Sequence, residues 1–509
     1  LLTCTLALSA LPVHAADAEV ERVRAATTRL INLMVDQGLL TRARADELLK
    51  ELEAPTPKPA PSSASAAASA PGGGASAPTT VRVPLVPEFV RQQLKDELRA
   101  ELVQQATKEG WAGPGAVPAW VRGWRWEGDL RSRYQGDNFD AGNAPAVSIA
   151  DTNRNRALTL ANTTVDRQRL RARARLGATV TADEAFSGGL RLTTGSSTDP
   201  LSSNQTLGTY GNRFTTAIDR GYIRWRPNGS FNAVFGRFGN PWVGTDLVWA
   251  NELGFDGAAA QWTPAVGNWG RALLTVGAMP VQEVELTAKD KWLYGVQAGM
   301  EWPGRGLVSG RVALAYYHYA NLAGRANAAG SSATDFTAPA FAQKGNSYFN
   351  ISTDASRPLL ALAADYHLVN LTGTVDILTI GWKHLVLTGD VVRNVGYKEA
   401  EVSARVGSTV KPETTGWQLR ASLGDASVNE AGKWQTFFSY RKLQRDAVPD
   451  AFTDSDLRGG GTDVKGFSLG GSLGLGKNTA LTLRWLSGDS VSGAPLSLDT
   501  LHLDLLMSF

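Results

Sequence analysis

Arginine occupies every second position from Arg167 to Arg175, and Gln168, Leu170, Ala172, Ala174 and Leu176 fall between and after. Strict alternation is the period of a β-strand whose two faces meet different surroundings. The energetics decide which face is which. An arginine turned to lipid near the bilayer midplane costs roughly 2–4 kcal/mol, so five on one strand cost on the order of 10–20 kcal/mol. That is as much as the whole stability of an ordinary domain, about 5–15 kcal/mol. The guanidinium face must therefore meet water, and the Leu/Ala face something apolar. Two other readings stand beside a channel wall. The row could be the exposed face of a soluble sandwich, or it could be paired to acids such as Glu127 and Asp129.

The same two-residue period recurs along the chain. Trp124, Trp126, Leu130 and Tyr134 share one parity, and Arg125, Glu127, Asp129, Arg131 and Arg133 share the other. Ile223 and Trp225 alternate with Arg220, Tyr222, Arg224 and Arg226. Trp417, Leu419 and Leu423 oppose Gln418, Arg420 and Ser422; Leu481, Leu483 and Trp485 oppose Thr482 and Arg484. Phe467, Leu469, Leu473 and Leu475 oppose Ser468, Gly470 and Ser472. The expected water-facing set is therefore Arg125, Arg131, Arg133, Arg167, Arg169, Arg171, Arg173, Arg175, Arg220, Arg224, Arg226, Arg420 and Arg484. In the last stretch Leu501, Leu503, Leu505, Met507 and the terminal Phe509 share a parity against Thr500, His502, Asp504 and Ser508, with Leu506 the one apolar intruder. An apolar face ending on an aromatic suits a strand in the wall of a membrane barrel, where aromatics form an interfacial girdle.

Composition agrees with that frame. Lys+Arg number 51 against 48 Asp+Glu, a net charge of +3, which argues against a dedicated nucleic-acid binder. Gly 53 and Trp 15 suit strand turns and membrane interfaces. No apolar run beyond the first residues is long enough for a spanning helix. A chain of this kind crosses a bilayer only as a closed barrel, because lipid satisfies no backbone hydrogen bonds. Residues 1–15 read as the apolar core of a secretory signal, cleaved near Ala15 or Ala16, in a precursor that starts at Leu1 without a basic start. The single cysteine, Cys4, lies inside it, and a lipoprotein reading of that cysteine is the weaker alternative. No disulfide or cysteine metal site then remains in the mature chain.

Residues 16–53 read as a helical hairpin or coiled coil, from the spacing of Val20, Val23, Thr27, Leu30 and Met34 and a break at Gly38. Residues 54–84 form a Pro/Ala/Ser/Gly linker. Residues 85–110 carry an amphipathic helix with Val90, Leu94, Leu98 and Leu102 on one stripe. Residues 111–509 are left for the barrel.

Gly110 to Phe139 reads GWAGPGAVPAWVRGWRWEGDLRSRYQGDNF, and Phe452 to Phe467 reads FTDSDLRGGGTDVKGF. A Gly-Trp, a Pro-containing turn, Pro-Ala-Trp and a Gly-Asp-Leu-Arg-x-Arg-Tyr strand resemble the "putative porin" family of proteobacterial outer-membrane proteins. The second stretch resembles that family's acidic, Gly-rich segment before its last strands. The resemblance implies an all-β transmembrane fold, an antiparallel outer-membrane β-barrel preceded by periplasmic helices. It implies a monomeric or trimeric diffusion channel in contact with outer-membrane lipid and lipopolysaccharide. It names no catalytic residue and no cofactor. The C-terminal strand is then the segment offered to the barrel-assembly machinery.

About 390 residues at roughly 24 per strand and connection give about 16 strands, with 14 or 18 as alternatives. Asn321 to Pro358 is long, polar and Gly/Ala/Ser-rich. A surface loop is the plainer expectation for it, and a loop folded into the bore the other. Asp450, Asp454, Asp456 and Asp463 sit in a Gly-rich segment without the spacing of an EF-hand, so a solvated turn is expected over a Ca²⁺ site, with Asp454 and Asp456 the nearest candidates. His318, His367, His384 and His502 follow no metal pattern, and no serine sits in a nucleophile motif. Three functions remain in order: an anion-favouring porin for small hydrophilic solutes, a plugged barrel whose helices tether the membrane to peptidoglycan, and an outer-membrane hydrolase.

Overall fold

A computed structural model describes residues 123–285, 287–304 and 307–509. The expectations for residues 1–15, 16–53, 54–84 and 85–110 lie outside the described residues. One antiparallel sheet closes on itself. Its long strands are β1 (Trp124–Phe139), β2 (Arg167–Thr181), β3 (Phe186–Thr194), β4 (Thr216–Asn228), β5 (Phe231–Gly239), β6 (Gly254–Trp262), β7 (Gly270–Gln282) and β8 (Lys291–Trp302). The second half is β9 (Val308–Ala320), β10 (His367–Leu378), β11 (His384–Asn394), β12 (Thr415–Gly424), β13 (Trp434–Leu443), β14 (Val464–Gly476), β15 (Thr479–Ser490) and β16 (Ser497–Ser508). Each pairs with its sequence neighbours, and β16 pairs with β1, so the sixteen strands form a closed barrel. No helix among the described residues is long and apolar enough to cross a membrane.

Connections alternate in length. Short turns at 182–185, 229–230, 379–383 and 477–478 mark one rim, which also holds Trp124 and Phe509. Long connections at 140–166, 195–215, 240–253, 321–366, 395–414 and 444–463 mark the other. The outward parity is apolar throughout: Leu170, Leu176, Ile223, Leu419, Leu483, Leu501, Leu503 and Leu505 are all exposed. Aromatics gather toward both ends of this face. Trp124 stacks on Trp126 at 5.9 Å near the short-turn rim, and Trp292 on Tyr294 at 5.7 Å near the other.

Closure runs through the chain terminus. The rungs go from Phe139 opposite Leu498 to Asp129 opposite Ser508. One more rung follows: the Gly128 N–H donates to the Phe509 carbonyl at 2.9 Å, and the Phe509 N–H to the Gly128 carbonyl at 3.0 Å. Gly128 is there because the Phe509 ring lies over it. A Cβ at 128 would stand 2.5 Å from that ring and 2.7 Å from the Arg175 carbonyl oxygen. Gly128→Val is therefore expected to lower the folded fraction severalfold, read as the heat-modifiable band on gels after refolding; an unchanged fraction would show that the last rung is dispensable.

Much of the bore on the β5–β11 side is filled. Trp249 packs edge-on to Tyr317 at 5.0 Å and to Phe255 at 5.1 Å, and Phe452 stacks on Tyr319 at 5.8 Å. Leu322, Phe349, Ile351, Leu359 and Leu362 are buried in the same cluster. Segment 321–366 thus folds inward against the wall, contrary to the surface loop expected for 321–358. Its short hairpin, Tyr348–Asn350 with Leu360–Leu362, places scattered apolar residues on one buried face, which a Gly/Ala/Ser-rich composition conceals.

Candidate pore lining

Polar side chains on the face opposite the exposed leucines are buried in a wall one strand thick, so they point into the barrel. Arg133, Arg173, Asp129, Asp137 and Asp504 are all in this state. Registry decides their neighbours. Arg133 lies opposite Asp504 on β16 and Arg171 on β2; Asp129 lies opposite Arg175. Arg133 makes a forked contact with Asp504, 2.6 Å from Nε and 2.8 Å from the terminal nitrogen. Asp129 accepts from Arg173 at 2.6 Å and from Arg175 at 2.6 Å, and Arg169 reaches Asp137 at 2.5 Å. On β3, Arg191 pairs with Asp219 at 2.5 Å.

Segment 240–253 leaves the rim between β5 and β6 and crosses the interior. Trp242 seats in a notch where the wall carries glycine: a Cβ at Gly295 would be 2.6 Å from its ring and one at Gly277 3.1 Å. The Val243 backbone exchanges two hydrogen bonds with the Gln297 amide, at 2.8 and 2.7 Å. Thr245 Oγ1 donates to Asp390 on β11 at 2.6 Å. Asp246 pairs with Arg441 on β13 at 2.6 Å. Glu252 then meets Arg173 at 2.5 Å and Arg131 at 3.4 Å on the opposite wall, and accepts from the Ser203 N–H at 2.8 Å. A segment tied in turn to β8, β11, β13 and the β1–β2 pair spans the bore. Burial works to raise the Glu252 pKa, but Arg173, Arg131 and Ser203 outweigh it and hold the carboxyl down at about 2.

Segment 444–463 makes a second inward bridge. Asp454 pairs with Arg441 at 3.1 Å; Asp456 pairs with Arg484 at 2.5 Å and lies 3.8 Å from Arg133. The Asp456 carboxyl is half-buried, and Arg484, His502 and Arg133 hold it well below the usual carboxylate range. His502 Nδ1 accepts from Arg484 at 2.9 Å. Asp463 caps the 491–493 turn, accepting from the Ser492 and Gly493 N–H groups at 3.0 Å each. The four aspartates considered for Ca²⁺ thus face different partners, and among the described residues no three metal-ligating side chains converge. His318 and His367 are cross-strand partners with rings 4.4 Å apart.

Asp450 is fully buried in this bridge and accepts from the Tyr348 hydroxyl at 2.9 and 3.0 Å. Burial pushes its carboxyl up to about 7. An unfolded or opened segment returns it to about 3.9. A raised folded pKa means stability fully present below about pH 4 and lost as pH rises to 7. Trypsin should therefore cut the segment faster at pH 7 than at pH 5 relative to a peptide standard. Asp450→Asn should flatten that difference, the remainder belonging to Asp446, which burial also raises.

The thirteen sequence-selected arginines divide. Arg131, Arg133, Arg169, Arg173, Arg175 and Arg484 are in ion pairs. Among the described residues, Arg125, Arg167, Arg171, Arg220, Arg224, Arg226 and Arg420 have no carboxylate within the 4.0 Å of an ion pair. Arg125, Arg167 and Arg226 are exposed near strand ends. Arg171 bonds only neutral oxygens, Gln135 Oε1 at 3.1 Å and Ser202 Oγ at 3.4 Å. Arg420 lies 4.1 Å over the Phe437 ring, and Arg224 lies 5.0 Å over Tyr222. The sequence reading missed Arg191 and Arg441, although Tyr440 outward and Arg441 inward follow the same alternation. It also missed Glu252, Lys344 and Arg458, which sit in loops where parity carries no signal.

Lipid-facing leucines, a polar inner wall and a segment strung across the bore define an outer-membrane channel of the porin class. The chain belongs to the "putative porin" family, whose profile matches residues 24–509. The barrel is also similar to solved outer-membrane proteins. OprB of Pseudomonas putida is 12% identical, with a TM-score of 0.47 over 82% of this chain and 97% of that one. OmpF of Salmonella typhi is 9% identical, with a TM-score of 0.41 over 76% and 97%. The outer membrane channel DcaP of Acinetobacter baumannii is 10% identical, with a TM-score of 0.41 over 76% and 97%. No curated protein matches the sequence.

Proposed function

We propose that this porin passes small hydrophilic solutes by passive diffusion and favours anions. The observation that carries the reading is the charge left over on the inner face. Most of the arginines beside the two crossing segments are neutralised by Asp129, Asp137, Asp246, Glu252, Asp456 and Asp504, while Arg171, Arg220 and Arg420 have no carboxylate in ion-pair range among the described residues. Guanidinium groups without an ion-pair partner beside a narrowed bore raise the local anion concentration. Reconstitution into a planar bilayer with a KCl gradient tests this. The expected reversal potential has the sign of chloride preference; a potassium-preferring parent would refute it.

A homotrimer belongs to the same proposal. It is supported by an outward apolar groove of about 520 Å³ across β4–β8, lined by small residues such as Ala233, Ala258 and Ala260. The N-terminal helices are proposed to lie in the periplasm and to touch peptidoglycan. A second reading, a plugged barrel that tethers membrane to wall, is favoured by the apolar cluster on the β5–β11 side. Absence of conductance together with retention on peptidoglycan would select it.

A further inference from the structure

The ladder of arginines on β2 leads up to a cavity of about 300 Å³ under the long-loop rim. Its walls carry four cations, Arg167, Arg169, Lys344 and Arg458, and one carboxylate, Asp137. That carboxylate is already engaged by Arg169. Arg458 comes from segment 444–463 and is only 3% exposed. Its terminal nitrogens donate to neutral oxygens, Ser490 Oγ at 3.0 Å and the Thr462 carbonyl at 2.6 Å. Its Nε is buried without a partner, and so is that of Arg169. Lys344, from segment 321–366, donates to the Gly459 carbonyl at 2.8 Å. Neither Arg458 nor Lys344 has a carboxylate within ion-pair range among the described residues.

A buried Arg458 answered only by neutral acceptors, with the half-buried Lys344 beside it, is unfavourable, because the guanidinium keeps its desolvation cost without an ion-pair partner. An oxyanion removes that cost, and charge-assisted hydrogen bonds to it are roughly twice as strong as neutral ones. Desolvation and the neighbouring Arg458 push the Lys344 ammonium down to about 7, against the weaker opposing pull of Asp450 and Asp137. Resting on the anion-passing reading above, we propose that Lys344 and Arg458, with Arg167 and Arg169, form a subsite that holds the phosphate or carboxylate group of a small solute before it enters the constriction.

The test is block of chloride current by inorganic phosphate and, separately, by malonate, at constant ionic strength in planar bilayers. Both probes should reduce the parent's current in a saturable way. Lys344→Gln and Arg458→Asn should each raise the half-blocking concentration about fivefold or more. Asn tolerates the left-handed backbone at 458, where φ is 55°. Lys383→Gln, the same change of charge in the 379–383 turn, should leave it unaltered. Block by only one probe narrows the class to that oxyanion. Unchanged half-block in both variants, or no block of the parent by either probe, overturns the subsite. Chloride preference in the reversal potential is read in the same membranes, so its loss marks failure of the anion-passing reading instead. If Arg458→Asn does not fold by heat-modifiability, Lys344→Gln decides alone.

Discussion

Arg173→Ala is expected to destabilise the barrel by roughly 3–5 kcal/mol, the usual cost of removing one partner from a buried ion pair. Its guanidinium side chain is 6% exposed and lies between Asp129 and Glu252 at 2.6 and 2.5 Å. Without it, Asp129 keeps Arg175, but Glu252 keeps only Arg131 at 3.4 Å and the Ser203 contacts. Glu252 is the far anchor of segment 240–253, so the loss should appear twice. Denaturant unfolding in detergent should show lower stability, and single-channel records should show larger, noisier currents as the segment leaves the bore. Arg173→Lys keeps the charge and loses the planar fork, and should fall between parent and alanine variant. Arg226→Ala, at an exposed strand end, should change stability by no more than about 0.5 kcal/mol. Equal stability and quiet current in Arg173→Ala would mean that Glu252 does not hold the segment.

Arg171→Glu is expected to shift selectivity while leaving the fold intact, because Arg171 gives up only two contacts to neutral oxygens. The size can be bounded. One unit charge about 8 Å from an ion in a wet bore is worth about 0.5 kcal/mol. Reversal changes two units, about 1 kcal/mol, and acts oppositely on chloride and potassium, giving about 2 kcal/mol in their ratio. Screening at 0.15 M, where the Debye length is about 8 Å, leaves roughly a third, or about 0.7 kcal/mol. The chloride-to-potassium permeability ratio should therefore fall about threefold. Arg169→Gln also removes a positive charge, but it strands Asp137 and should weaken folding as well. A permeability ratio that does not move in Arg171→Glu would take Arg171 out of the conducting path.

These two arginines sit two residues apart on β2 and looked alike in the sequence. Alternation placed both on one face and could not say that one is bound on both sides by acids while the other meets an amide and a hydroxyl. Arg441 shows the opposite lapse. Its parity was legible, but it stands alone on its strand, and its importance comes from Asp246 and Asp454, which loops bring to it. Segment 321–366 failed for a third reason. Loops carry no fixed period, so Phe349, Ile351 and Leu359 do not announce a buried face until a wall exists to bury them.

A period of two is a local property. Residues a few positions apart were enough to set the faces of the alternating strands, and chain length gave about sixteen crossings; that the terminal phenylalanine closes the barrel against Gly128 came only with the fold. The net field inside the barrel depends on contacts such as Arg133 with Asp504 and Arg173 with Glu252, whose partners stand 371 and 79 positions apart in the chain. Those distances close only when the sheet does. Charge compensation, the crossing segment and the basic cavity are therefore facts of the folded barrel, since an ion pair depends on ångströms through space and not on spacing along a chain.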